Sequence, residues 1–139
     1  MNVNPMVSWV LRSPFHRVLS KTTMLVSYTG RKSGRQISLP VNYVRQGDVL
    51  WTLSMGKRSW WRNFRPTGPG RLRLQGRDVQ VQGEVVEDEE EILAGMATFL
   101  KGMPQVARYL KISYAENGEP ERDDLREAMR GRVLVRFQL

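Results

Sequence analysis

TTMLVSYTGRKSGRQISLPVNYVRQGDVLWTLSM, residues 22–55, contains three runs with a period of two: TTMLVSY (22–28), ISLPVNYV (37–44) and VLWTLSM (49–55). Alternation of this kind turns one face of an extended chain toward a core, so each run reads as a strand. The connecting segments TGRKSGRQ and RQGD carry the glycines that tight turns need. The pattern predicts an antiparallel hairpin of the first two strands, with the third continuing the meander. Pro40 falls inside the second strand; lacking an N–H, it fits an edge or a bulge.

Toward the C-terminus, RSWWRNFR (58–65) reads as one or two helical turns ended by Pro66, and PTGPG (66–70) as a loop. RLRLQ (71–75) and VQVQGEVV (79–86) alternate around Gly76, Arg77 and Asp78, which predicts a second hairpin. Asp88 and Glu91 have the spacing of a capping box, with Ile92, Leu93, Met96, Phe99 and Leu100 as the apolar stripe of the helix behind it. Shorter helices are predicted at PQVARYLK (104–111) and ERDDLREAM (121–129), and RVLVRFQ (132–138) is a closing strand. Toward the N-terminus, Met6, Trp9, Val10, Phe15, Val18 and Leu19 recur at near-helical spacing, with Pro14 as a kink. That helix reads either as a cover over the open end of a core or as a basic membrane-surface element.

About six mainly antiparallel strands, with helices grouped after the fifth, predict an α+β fold built on a small β-barrel. One domain is expected over 1–139: an N-terminal helix (1–20), barrel strands (21–86), a helical part (87–130) and the closing strand (131–139). A chain of 139 residues suits one ordinary domain. Its 40% hydrophobic and 26% charged content is that of a folded chain rather than a disordered one. No run approaches the roughly 20 apolar residues of a membrane span, and no secretory signal is visible, so a cytoplasmic location is expected. The absence of cysteine excludes disulfides and thiolate metal sites, and the single histidine, His16, excludes a multi-histidine cluster.

The net charge of +8 is unevenly spread. Residues 1–83 hold 14 Lys/Arg against Asp48 and Asp78, whereas residues 84–139 hold 8 against 12 acids. Such segregation points to an anionic partner for the first part: nucleic acid, lipid headgroup or phosphorylated cofactor. The usual nucleophilic sets are missing, and the acidic run Glu87–Glu91 sits where carboxylates complement a helix dipole. GRKSG fails as a P-loop, because Arg31 and Val26 stand where that motif needs glycines. The turn reads as a solvated hairpin tip or, through Arg31, Lys32, Arg35 and Ser33, as an anion cradle. From Lys57 to Arg77 seven cations and no acid interleave with Trp60, Trp61 and Phe64. This suits a phosphorylated ring or single-stranded nucleic acid, unless the tryptophans simply plug the barrel mouth.

LVSYTGRKSGRQISLPVNYV, a strand ending in Ser54, and SWWRNF together resemble the deazaflavin-dependent nitroreductase and quinone reductase family, whose members have a split β-barrel. The resemblance implies an oxidoreductase that passes a hydride from reduced deazaflavin, coenzyme F-420, to a quinone-like or other conjugated acceptor. It implies that Arg31, Lys32 and Ser33 bind the phosphate region, that Ser54 and Lys57 flank the ring, and that Trp61 and Asn63 shape the groove. Pro40, Val41 and Tyr43 lie on the strand lining that groove. Nitroimidazole-reducing members carry three tyrosines where this chain has Met103, Val106 and Tyr109, so Tyr109 alone remains as a substrate-side residue and a different acceptor is implied. MGKRS is shorter than the corresponding loop of many members. Relatives in the superfamily bind FMN, haem or fatty acids, which keeps a binding role without deazaflavin turnover as the alternative. The implied partners are an anionic cofactor and a small hydrophobic acceptor, without nucleic acid, in a monomer or homodimer, with peripheral membrane contact left open.

Overall fold

The computed structural model describes residues 23–30 and 32–139; the helix expected over residues 1–20 and Arg31 lie outside them. Strands β1 (Thr23–Thr29), β2 (Gln36–Asn42), β3 (Val44–Gln46), β4 (Val49–Met55), β5 (Thr67–Leu74), β6 (Arg77–Val85) and β7 (Arg132–Gln138) form one antiparallel sheet, in the order β2-β1-β5-β6-β7-β4-β3. The predicted second strand is thus two strands, which makes seven in place of six. It pairs with β1 as far as Asn42 and, past Tyr43, with β4. Both ends of the strand order therefore belong to one short stretch of chain, and the sheet curls into a split β-barrel with an α+β composition. Pro40 lies opposite Leu25 on the edge strand β2, where a missing N–H leaves no second neighbour unpaired.

The third apolar run does not extend the meander beside β2. A turn at Gly47 (φ 60°) follows directly on the three-residue β3, so β4 folds back on β3 and pairs along its whole length with β7. PTGPG is also not simply a loop, because β5 begins at Thr67. β1 reaches β5 only at Arg71–Arg73, so Pro69 sits where β5 has β6 alone as neighbour. Gly70 and Gly83 leave room there for Phe64: a Cβ on Gly83 would lie 2.4 Å from Phe64 Cδ1, and one on Gly70 2.9 Å from Cε1.

One core fills the barrel, with Met24, Val26, Leu50, Phe64, Leu72, Val135 and Phe137 fully enclosed. The second lies between the outer face of β4 and β7 and helix α1 (Glu89–Gly102), which brings Leu93, Met96, Phe99 and Leu100 onto Trp51 and Leu134. Helices α2 (Pro104–Tyr109) and α3 (Arg122–Ala128) complete that layer. Asp88 caps α1 by accepting from the Glu91 N–H at 3.1 Å. Only that half of the capping box forms, because the Glu91 carboxylate instead accepts from Arg136 at 3.1 Å. The acidic run is more than a solvated helix start. Glu87 pairs with Arg65 (2.7 Å), Glu89 with Arg126 (2.6 Å) and Glu90 with Arg122 (2.6 Å). Exposed pairs of this kind contribute little individually, but those from α1 tie it to the helix at Arg122–Ala128 and to β7, and Glu87 ties the segment before it to Arg65.

Thr52 is buried on β4 and its hydroxyl has no hydrogen-bond partner among the described residues. An orphaned buried hydroxyl costs about 1–3 kcal/mol, so Thr52→Val is expected to stabilise the protein by roughly 1 kcal/mol, read as a higher urea midpoint. A lower midpoint would mean the hydroxyl is satisfied in solution.

Tyr43 closes the barrel seam: buried at the strand break, it hydrogen-bonds Gln75 in the β5–β6 turn. Burial pushes the Tyr43 phenol above its ordinary value, against smaller opposing effects of Gln75 and Arg45, and burial raises Tyr28 likewise. The unfolded chain releases these protons first, at about pH 10. Their contribution to stability is therefore complete below about pH 10 and falls as pH rises above it. Urea midpoints measured from neutral to strongly alkaline pH should decline there, and Tyr43→Phe should shrink the decline. No helix among the described residues is long and apolar enough to cross a membrane.

Candidate functional site

β1 runs from its pairing with Asn42 up to Thr29 opposite Gln36, and so delivers the turn 30–35 to one end of the barrel. That turn is held by its own bonds. Gly30 N–H donates to Arg35 O (2.8 Å), Gly34 N–H to Gly30 O (2.9 Å) and Arg35 N–H to Ser33 Oγ (3.2 Å), with Gly34 at φ 70°. Among the described residues no acceptor takes the backbone N–H of Lys32 or Ser33. β4 brings residues 55–59 to the same end, followed by a 3-10 turn at Trp60–Phe64, which Asn63 Nδ2 closes by donating to Trp60 O at 3.0 Å.

Between the hairpin turn and this segment lies a cleft of about 490 Å³. Among the described residues its cations are Lys32, Lys57, Arg58 and Arg62, and no carboxylate lines it. Tyr28, Trp60 and Ile37 supply apolar surface, and Ser33, Ser59 and Asn63 supply neutral polar groups. Most other arginines with a nearby acid are already paired on the helical side, through Glu84, Glu87, Glu89, Glu90 and Glu91. Four like charges around one recess repel one another, and an anion in the recess relieves that repulsion.

Of the residues singled out from the sequence, Lys32, Ser33, Lys57 and Asn63 come together on this cleft. Arg31 lies outside the described residues. Pro40 and Val41 are half-buried on β2 and do not line it, and Tyr43 sits at the far end of that strand. Ser54 is buried, and its hydroxyl donates to Met55 O at 3.1 Å. Trp61 is buried on the other side of the 3-10 turn, where its Nε1 donates to Gly56 O (3.3 Å) and its ring borders a smaller recess of about 190 Å³ beside Arg65, Val86 and Met129. Tyr109 is 78% exposed on α2 and does not line the cleft. Both tryptophans are thus buried, facing opposite ways from adjacent positions. Tyr28, Trp60, Arg58 and Arg62 are lining residues that the motif comparison passed over. For Tyr28 the signal was present, since Met24, Val26 and Tyr28 share the inward face of β1. The described residues contain no cluster suited to hold a metal ion.

No protein family model matches the sequence, and no curated protein does. Solved structures match the fold. The FAD and heme binding protein from Mycobacterium smegmatis superposes with a TM-score of 0.55 at 12% identity, over 91% of this chain and 66% of that one. An F-420-H2 dependent reductase gives 0.53 at 18% identity, over 83% of this chain and 94% of that one. An FAD-binding protein from Mesorhizobium loti gives 0.51 at 15%, over 97% and 88%. The chain shares the split-barrel fold of these proteins.

Proposed function

We propose that the chain is an oxidoreductase that binds reduced deazaflavin, coenzyme F-420, and passes its hydride to a quinone-like or other conjugated small molecule. The observation that carries this reading is the cleft: among the described residues, four cations and no carboxylate around a recess walled by Tyr28 and Trp60. A planar ring with an anionic tail matches that surface, with the ring on the aromatic wall and the tail against the cations. The fold shared with an F-420-H2 dependent reductase supports the choice of cofactor.

The residues present fit such a group. Lys32 and the N–H groups of Lys32 and Ser33 would hold an anionic oxygen group at the hairpin turn, and Lys57, Arg58 and Arg62 would hold others along the opposite wall. Arg31, Pro40, Val41, Tyr43, Ser54, Trp61 and Tyr109 belong to the proposed site by family resemblance alone. Bound deazaflavin supplies a hydride; the chain's part is to fix the ring and keep water from its face, which is where most of the advantage in such transfers lies.

Anaerobic mixing with reduced coenzyme and 2-methyl-1,4-naphthoquinone should restore the fluorescence of the oxidised coenzyme at a rate proportional to protein. Retention of FMN, haem or a fatty acid without any such turnover would favour the binding role and contradict the reductase.

A further inference from the structure

Tyr28 and Trp60 each carry one neutral hydrogen-bond donor, the phenol O–H and the indole N–H. Neither has a protein partner among the described residues. Nor are they sealed in the core: among the described residues the enclosed polar side-chain atoms without partners are Thr52 Oγ1 and Arg73 Nε. Both residues are at least nine-tenths buried, and both line the cleft. Their rings are held firmly. Both meet Phe64 edge-on, at 5.5 Å for Tyr28 and 6.2 Å for Trp60, and Trp60 stacks on Phe137 at 6.5 Å.

We infer that the inner wall of the cleft reads the hydrogen-bond-accepting edge of its ligand's ring through two neutral donors, Tyr28 O–H and Trp60 N–H. The ligand class is then a heteroaromatic anion whose ring bears carbonyl acceptors, such as a pyrimidinedione edge, as distinct from a hydrocarbon ring of equal charge. A ring without acceptors covers both donors and leaves them unpaired, which a site built for hydrogen bonding rejects. Burial keeps the Tyr28 phenol protonated well beyond neutral pH, so it remains a donor throughout the working range. The cations at the rim select for charge and the donors within select for ring chemistry. The inference rests on the cleft being the ring site proposed above, but not on hydride transfer.

The test is equilibrium titration of the full chain with two phosphorylated probes, FMN and 1-naphthyl phosphate, in wild type, Tyr28→Phe and Trp60→Phe. Wild type should prefer FMN, and each variant should lose about 5- to 10-fold in FMN affinity, the range of one neutral hydrogen bond, with 1-naphthyl phosphate affinity changed less than about 2-fold. Tyr28→Phe should keep its thermal midpoint, because its ring contacts remain; Trp60→Phe puts a smaller ring in an enclosed seat and should lower it, and if that variant fails to fold, the Tyr28→Phe titrations decide. Equal losses for both probes, unchanged FMN affinity in Tyr28→Phe, or no binding of FMN by wild type would overturn the inference. Probe discrimination without deazaflavin turnover would remove only the reductase reading. Turnover with coenzyme affinity intact in both variants would remove only this one.

Discussion

Phe64→Ala should lower the stability of the protein by about 3–5 kcal/mol, the usual cost of truncating an enclosed phenylalanine. Phe64 is fully buried and makes edge-on contacts with Tyr28, Trp60 and Phe137, the last at 5.2 Å. Its ring fills a notch that exists because positions 70 and 83 are glycine. Truncation therefore empties space directly beneath the 3-10 turn that carries Trp60, Arg62 and Asn63 into the cleft. Gly83→Ala is the converse experiment: its Cβ would intrude on both Phe64 and Phe137, an overpacking expected to cost about 1–3 kcal/mol. Urea unfolding of the two variants measures both. A Phe64→Ala loss below about 1 kcal/mol would mean that the turn is held by something other than this seat.

Replacing Lys32 and Lys57 together by alanine should weaken binding of an anionic ring ligand by about 100-fold and make the remaining affinity much less sensitive to salt. The two lysines approach the cleft from different segments, the hairpin turn and the loop after β4, so they contact different parts of an anion and their effects should be nearly additive. Both are exposed and make no ion pair among the described residues, so the double variant should keep its urea midpoint. FMN or coenzyme titrations at low and high salt give the measurement. Affinity unchanged in the double variant would exclude the cleft as the anion site.

Much of this arrangement was legible in the sequence because period-two alternation and turn glycines are local signals. β1, β4, β6 and β7 fall where the alternation puts them, and Asp88 marks the start of α1. What escaped depended on partners distant in sequence. The division of ISLPVNYV at Tyr43 follows from β3 leaving β2 to join β4, a choice made by the turn at Gly47 and invisible within the run itself. PTGPG looked like a loop because glycine and proline disfavour strands in general; here Gly70 admits the Phe64 ring, Gly68 admits the Asn63 carbonyl, and Pro69 faces an unpaired edge. The same limit applies at the site. The basic turn and the Lys57 segment were visible as charge, and both reach the cleft. Which of two adjacent tryptophans faces it was not, because a 3-10 turn sends Trp60 and Trp61 to opposite sides.

Fluorescence titration of coenzyme F-420 against the full chain, with FMN and haem alongside, decides whether the cationic cleft is a deazaflavin site. Saturable quenching by the coenzyme at micromolar protein is expected, stronger than for FMN or haem and weakened by salt and by Lys32→Ala with Lys57→Ala. Absence of coenzyme binding at that concentration, or binding that ignores both salt and the lysines, would rule the assignment out.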